Sequence, residues 1–308
     1  MRSEHRLTAL AALAGGVITI SWSAIFVRWA RMPGLSSAFY RMLIAVLVLW
    51  PMLFFSRRRL AGLTRRTLWI TAVGGVFFAG DVGLWNIAVR HTSAANATFL
   101  SNSAPLFVGL FTWMLTRRLP SARFWLSLLV ALIGTALIVL ADMRNAVSRS
   151  GADGLAVLAA ICFALYLVIT GRLRERSDTA VLLTLSTTAS AVALWISAVV
   201  THTSLAVPDA GAWWALLGLG LLCQVGGYFG LTYALGHLPT TVTSILFLMV
   251  APGTAVFAWI IFGERMRTLE LVGGLLLLAA VWIVGRREKG PGIEEESAAE
   301  LIPPVAQV

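Results

Sequence analysis

The chain reads as an all-α polytopic membrane protein: ten transmembrane helices, arranged as two inverted five-helix repeats with both termini cytoplasmic. Three observations predict this. Hydrophobic residues make up 58% of the 308 residues and charged residues only 12%, with a mean hydropathy of +0.85. A soluble domain carries about 25% charged residues, so too little polar surface is present to cover a water-soluble globule. Second, the apolar residues fall into stretches of the roughly 20 residues that a bilayer crossing needs. Third, the segment Ala88–Trp125 is written again, degenerately, at Ala234–Val272. His91 aligns with His237, Thr98 with Ser244 and Leu100 with Leu246; one inserted residue then brings Ala104-Pro105 onto Ala251-Pro252, Arg118 onto Arg265 and Ser121 onto Thr268.

Taken in order, the expected spans are 7–28, 35–55, 67–89, 93–115, 121–141, 151–171, 178–200, 211–235, 239–262 and 268–285. The first follows Arg2 and Arg6; its apolar run continues through Phe26, longer than a cleaved leader, and reads as an uncleaved helix. Pro33-Gly34 makes the turn into the second, with Ser36 or Ser37 as its cap. Pro120-Ser121 opens the fifth, and Thr268 opens the tenth at the equivalent place. The linker Asp142–Asp153 divides a first repeat, 1–147, from a second, 148–288. The remainder, 289–308, is acidic, contains proline and reads as a disordered cytoplasmic tail.

Charge placement sets the orientation. With the N-terminus inside, the cytoplasmic segments hold Arg2, Arg6, Arg57, Arg58, Arg59, Arg65, Arg66, Arg117, Arg118, Arg123, Arg172, Arg174, Arg176, Arg286, Arg287 and Lys289. The outside keeps only Arg28, Arg31, Arg90, Arg144, Arg149, Arg265 and Arg267, and the inner excess is the positive-inside pattern. Five spans per half is an odd number, so the second half starts from the opposite side. Inverted repeats of this kind build many secondary transporters, with a site near the midplane between the halves.

The net charge of +10 sits in short clusters between apolar runs, which is the pattern of membrane-flanking loops and not of a nucleic-acid groove. Cys162 and Cys223 lie inside spans and read as small buried residues. His91 and His237 stand at span ends. No P-loop, GxSxG, HExxH or Cys/His cluster is present, so no cofactor, metal or catalytic residue is expected. The partners expected are the lipid bilayer and a small-molecule substrate, with the chain working as a monomer.

Intramembrane polar residues are the candidates for function, because a charge at the bilayer centre costs about 2.5–3.5 kcal/mol on insertion scales and so faces a cavity or a partner. Asp81 is the one acid well inside a span. It reads either as a proton-coupling or substrate-amine site, or as a packing acid. Trp85, four residues on, shares its face and is either a cavity wall or an interfacial belt tryptophan. The fourth span is polar, with Asn96, Thr98, Ser101 and Asn102 ahead of Pro105; the proline frees a carbonyl near Ser101 that must be satisfied by a neighbour, water or ligand. The ninth repeats the idea with Thr241, Ser244 and Pro252, which makes Pro105 and Pro252 candidate helix breaks for gating. Thr19, Trp22 and Ser23 in the first span, Tyr166 and Thr170 in the sixth, and Gln224 and Tyr228 in the eighth complete the candidate lining. The small count of intramembrane positive charge argues against a phosphorylated substrate, and Arg41, near the outer end of the second span, is the one residue that reopens that case.

The repeated segments also resemble the signature end of the EamA domain of the drug/metabolite transporter superfamily. Phe262-Gly263-Glu264-Arg265 matches its Gly-Glu-Arg pattern, Phe39–Ala45 resembles its second-helix Arg-x-x-x-Ala pattern, and Leu115-Thr116-Arg117-Arg118 departs from it in the first half. The resemblance covers 7–285 and is nearest to bacterial amino-acid, aromatic amino-acid and metabolite exporters. It implies a ten-helix fold in the inner membrane and export of small solutes. The alternatives are a drug or nucleotide-sugar-like carrier of the same fold and, in another class, a membrane-embedded enzyme or a non-transporting assembly protein.

Overall fold

The computed structural model describes residues 2–54, 63–91, 100–142, 150–174, 177–263 and 267–285. Thr98, the Glu264-Arg265 pair, most of the expected linker and the acidic tail lie outside them, as do the side chains of Asn86 and His91.

Every element described is helical. The first half holds α1 (Arg2–Ser21), α2 (Ser23–Ala30), α3 (Gly34–Phe54), α4 (Arg65–His91), α5 (Ala104–Thr116) and α6 (Ala122–Asp142). The second holds α7 (Ser150–Arg174), α8 (Thr179–Val200), α9 (Ala210–Leu217), a π-helical stretch (Gly218–Gly227), α10 (Tyr228–Leu235), α11 (Thr240–Phe247), α12 (Val250–Phe262) and α13 (Thr268–Gly285). Among the described residues eight stretches are long and apolar enough to cross a membrane; Ala104–Thr116 and Ala122–Ile138, at the expected fourth and fifth spans, are apolar but shorter. The sixth helix starts at Ser150, inside the expected linker.

The exterior is apolar. Trp69, Trp214, Ile260 and Leu275 are between 64% and 75% exposed, an arrangement that acyl chains solvate and water does not. Inside, hydroxyls satisfy the backbone locally: Thr71, Thr135, Thr184 and Ser190 each donate to the carbonyl four residues earlier at 2.7–2.9 Å. Such bonds hide a polar group within its own helix, where no water reaches it.

The principal packings recur when the halves are exchanged. The third helix, α4, packs on α7 and α8, and the eighth (α9, the π stretch and α10) packs on α1 and α3. The fourth, α5, packs on α7, and the ninth, through α12, on α1; α3 meets α8, α5 meets α11 and α6 meets α13. Close approach is built in where α1 meets the end of the π stretch and α10: a Cβ on Gly16 would stand 2.7 Å from the Gly227 oxygen, and one on Gly230 would run into the Ala12 carbonyl. Glycine is required there because the backbones themselves touch.

Helix ends correct two expectations. Ser36 and Ser37 do not cap α3: the Ser36 hydroxyl donates to Ser204 O at 2.6 Å and that of Ser37 to Gly34 O at 2.9 Å. The helix has already begun at Gly34. Ser121 does cap α6, accepting from Phe124 N, but its counterpart is Arg267 rather than Thr268. The Ser121 carbonyl accepts from residues three and four on, as the Arg267 carbonyl does. Likewise α5 and α12 are each 13 residues long, and each closes on a left-handed residue, Arg117 (φ 58°) and Gly263 (φ 67°). The repeat therefore keeps one spacing throughout, and the inserted residue is unnecessary. Pro105 faces Ala251 in the comparison of the halves, and Pro252 lies one position further along.

Candidate functional site

Two helices break beside one another at the centre. The first is interrupted at Trp22, between α1 and α2, and the ninth at Leu248-Met249, between α11 and α12. Each break leaves carbonyls without an intrahelical donor. The Ser21 hydroxyl donates to Val250 O at 3.2 Å, and the Thr254 hydroxyl returns a bond to Ser21 O at 3.0 Å. The fourth helix shows the matching interruption at Asn102-Ser103, just before Pro105 in the first turn of α5. Pro252 occupies the first turn of α12 in the same way. Both prolines thus sit where a missing N–H costs nothing, at a helix start following a break, and not inside a continuous helix as a kink.

A cavity of about 210 Å³ lies against these breaks. The first half lines it with Ser23 and Val27 from α2, Ser37 and Arg41 from α3, Asp81, Val82 and Trp85 from α4, and Ser101, Asn102 and Pro105 at the start of α5. The second half adds Phe163 and Leu167 from α7, Leu219 from the π stretch, Tyr228 from α10, and Ser244, Phe247 and Leu248 at the end of α11. Segments more than 200 residues apart in the chain meet here, and both halves are needed to form the walls.

Arg41 is the best-held polar group in the lining and is only 8% exposed. Its Nε donates to Gln224 Oε1 at 2.9 Å, its Nη1 donates to Ser23 Oγ at 3.3 Å, and its guanidinium lies 5.2 Å from the centre of the Tyr228 ring. Gln224 is 1% exposed and extends the chain by donating to Thr187 Oγ1 at 3.5 Å. It sits in the ten-residue π-helical stretch, a rare form of helix that is frequent at functional sites. Asp81 lines the same cavity, and the Arg41 charge acts on it across the space. Among the described residues no ion pair joins the two.

The structure thus brings Ser23, Asp81, Trp85, Ser101, Asn102, Pro105, Tyr228 and Ser244 together and leaves the other described candidates outside the lining. Thr19 donates to Gly15 O and Gly16 O within its own helix. Trp22 packs on Phe257, with ring centres 4.6 Å apart. Tyr166 is 1% exposed and stacks on Phe78 at 4.7 Å, with Thr170 buried on the same helix. Gln224 stands behind Arg41, and Pro252 is not among the lining residues. Trp85 is among the residues that line the cavity. Arg41, assigned from sequence only to phosphorylated substrates, is a lining residue, and Phe163 and Phe247 are lining aromatics that no sequence signal singled out.

A second cavity, of about 990 Å³, opens at the opposite ends of the same helices. Thr64, Arg66 and Thr67 at the start of α4, Thr116 at the end of α5, Arg172 at the end of α7, and His237 and Thr240 between α10 and α11 line it. His237 therefore faces a polar vestibule; its Nδ1 lies 2.9 Å from Tyr233 O. Leu167 lines the inner cavity and its neighbour Val168 the vestibule, so α7 borders both spaces. Among the described residues no group of His, Cys, Asp and Glu is placed to hold a metal ion.

Comparison with known proteins decides the family. The profile of the EamA-like transporter family matches residues 7–140 and, again, residues 151–286. The chain belongs to the EamA-like transporter family. Its relatives include the pseudopaline exporter CntI of Pseudomonas aeruginosa, 26% identical over 284 residues, which cover 91% of this chain and 96% of that protein. A riboflavin transporter of Brucella anthropi is 25% identical over 262 residues, covering 84% of this chain and 90% of the other. A solved crystal structure shares the fold of this EamA-like chain with a TM-score of 0.74 at 16% identity, covering 92% of this chain and 98% of that one. The two family matches fall one on each half, and the cavity lies between them.

Proposed function

We propose that this EamA-like protein is a secondary transporter that exports amino acids or related small metabolites across the bacterial inner membrane by alternating access. The observation that carries the reading is the cavity walled by both halves, in which a cation, Arg41, and an acid, Asp81, face the same small space beside aromatic rings. A zwitterion with an apolar side chain is the solute that such a lining complements. In the mechanism, the repeats 1–147 and 148–288 are inverted, each contributes five spans, and both termini and the tail 289–308 are cytoplasmic. Support comes from packings that recur on exchange of the halves and from the odd number of segments in each. The vestibule, rimmed by Arg66 and Arg172, is then the cytoplasmic access, and rocking of the halves about the breaks at Trp22, Asn102-Ser103 and Leu248-Met249 opens the central cavity to either side. A concentrated cytoplasmic substrate leaves downhill; Asp81, facing Arg41 and Tyr228, is the group that would carry a coupled proton. The riboflavin transporter among the relatives favours, as a second reading, a carrier of other metabolites in the same cavity.

Counterflow into liposomes carrying the purified protein tests this. Labelled aromatic, aliphatic, hydroxyl and charged amino acids would be offered, with riboflavin beside them, with and without a pH gradient. Saturable exchange of amino acids is expected. Exchange of riboflavin alone would move the substrate class, and exchange of nothing would remove the transporter reading. If coupling exists, Asp81→Asn abolishes the response to the gradient and also weakens exchange at equal pH, since a lining carboxyl group is lost; an unchanged gradient response would remove Asp81 from the coupling role.

A further inference from the structure

Resting on the transporter reading, we infer that Arg41 and Asn102 form a subsite for the carboxylate of the substrate, opposite an ammonium position at Asp81. Arg41 has five N–H donors in a planar fork. Gln224 and Ser23 engage Nε and Nη1. The outer nitrogen, Nη2, is buried without a hydrogen-bond partner among the described residues, on a side chain that is 8% exposed and lines the cavity. Asn102, at the break ahead of Pro105, lines the same cavity, and its Nδ2 is likewise buried with no partner among the described residues. A buried donor left unmade costs about 1–3 kcal/mol, and more when it is charged, so two such donors on residues that line one small cavity describe a site for an acceptor.

The acceptor is anionic because the guanidinium is. Its class follows from the rest of the lining. Asp81 brings a carboxyl group to the same space, so the cavity offers one cation and, opposite an ammonium group, one anion. A phosphate dianion would meet a carboxylate and a single guanidinium, leaving its second charge uncompensated. A carboxylate paired with an ammonium group matches both. Gln224 and Thr187 act as positioning residues: they fix the guanidinium plane through Nε and leave Nη2 for the ligand. The Tyr228 ring on the guanidinium replaces part of its lost hydration. The volume of about 210 Å³ sets the scale at an amino-acid-sized solute.

The test compares acids with their amides. Phenylalanine and leucine would be set against phenylalaninamide and leucinamide, which keep the amine and side chain but lose the anion, and against phenylethylamine. Binding to the purified protein is read by thermal shift and exchange by counterflow, in wild type, Arg41→Gln, Arg41→Lys and Asn102→Ala. The wild type is expected to prefer the acids by at least about tenfold, the factor for one charge-assisted hydrogen bond. Arg41→Gln erases that preference, Arg41→Lys restores part of it, and Asn102→Ala weakens the acids a few-fold without affecting the amides. Arg41→Lys also serves as the folded control, since it keeps the charge that Gln224 receives. Equal affinity for acid and amide in the wild type, or an acid preference that survives in Arg41→Gln, would overturn the subsite. Exchange of amines without acids would do the same while leaving the transporter standing. Exchange of none of these compounds, or of riboflavin, would remove both the amino-acid reading and the subsite that rests on it.

Discussion

Arg117 and Gly263 end equivalent helices in the two halves with the same left-handed turn, at φ 58° and φ 67°. Glycine adopts that conformation freely, whereas a residue with a Cβ is crowded against its carbonyl. Arg117→Gly is therefore expected to stabilise the protein by about 1 kcal/mol, after the larger entropy of an unfolded glycine is subtracted. A higher melting temperature in detergent would show it; a lower one would mean that the Arg117 side chain contributes more than its backbone loses. The same scale shows what could be read from sequence. Asp81, Asn102 and Tyr228 were legible because a polar group inside an apolar run must face something other than lipid. Thr19 and Thr170 carry the same signal and are not in the lining. A hydroxyl can satisfy itself on its own helix, as Thr19 does on Gly15 O and Gly16 O, and its residue type does not reveal which choice it makes.

Among elements, the interruptions matter more than the helices. Thr19 and Ser23 stand four apart and would share a face on a continuous helix, but the break at Trp22 resets the direction, so that Ser23 enters the lining and Thr19 does not. No residue at Trp22 announces a break, since neither glycine nor proline is there. The π-helical stretch around Gln224 is equally silent in sequence, because it depends on what the neighbouring helices leave unpaired. The prolines were informative, although they mark the restart after a break and not the break itself. The pair of bonds between Ser21, Val250 and Thr254 ties the interruption of the first helix to that of the ninth. Thr254→Val keeps the shape and removes the donor to the Ser21 carbonyl, which is expected to cost about 1–3 kcal/mol. If the melting temperature of that variant matched the wild type, the two breaks would not be coupled through this bond.

For the whole molecule, the duplication visible in the sequence becomes an exchange of packing partners: α4 on α7 is answered by α10 on α1, and α5 on α7 by α12 on α1. The helical, membrane-spanning class and the doubling of the chain were within reach of composition and internal repetition, although eight and not ten of the described stretches are long and apolar enough to cross a membrane. The cavity was not, because Phe163 and Phe247 look like any other core aromatic until the halves are brought together. The claim on which all else depends is that solute passes through this cavity. Ser101→Cys in a chain carrying Cys162→Ala places one reactive thiol on the cavity wall while Cys223 stays buried. Labelling this variant in liposomes with a membrane-permeant thiol reagent, with and without a saturating exchanged amino acid, is the most direct measurement. Loss of counterflow on labelling, and protection by the amino acid, is the result expected. Complete labelling that leaves exchange untouched would place the path elsewhere.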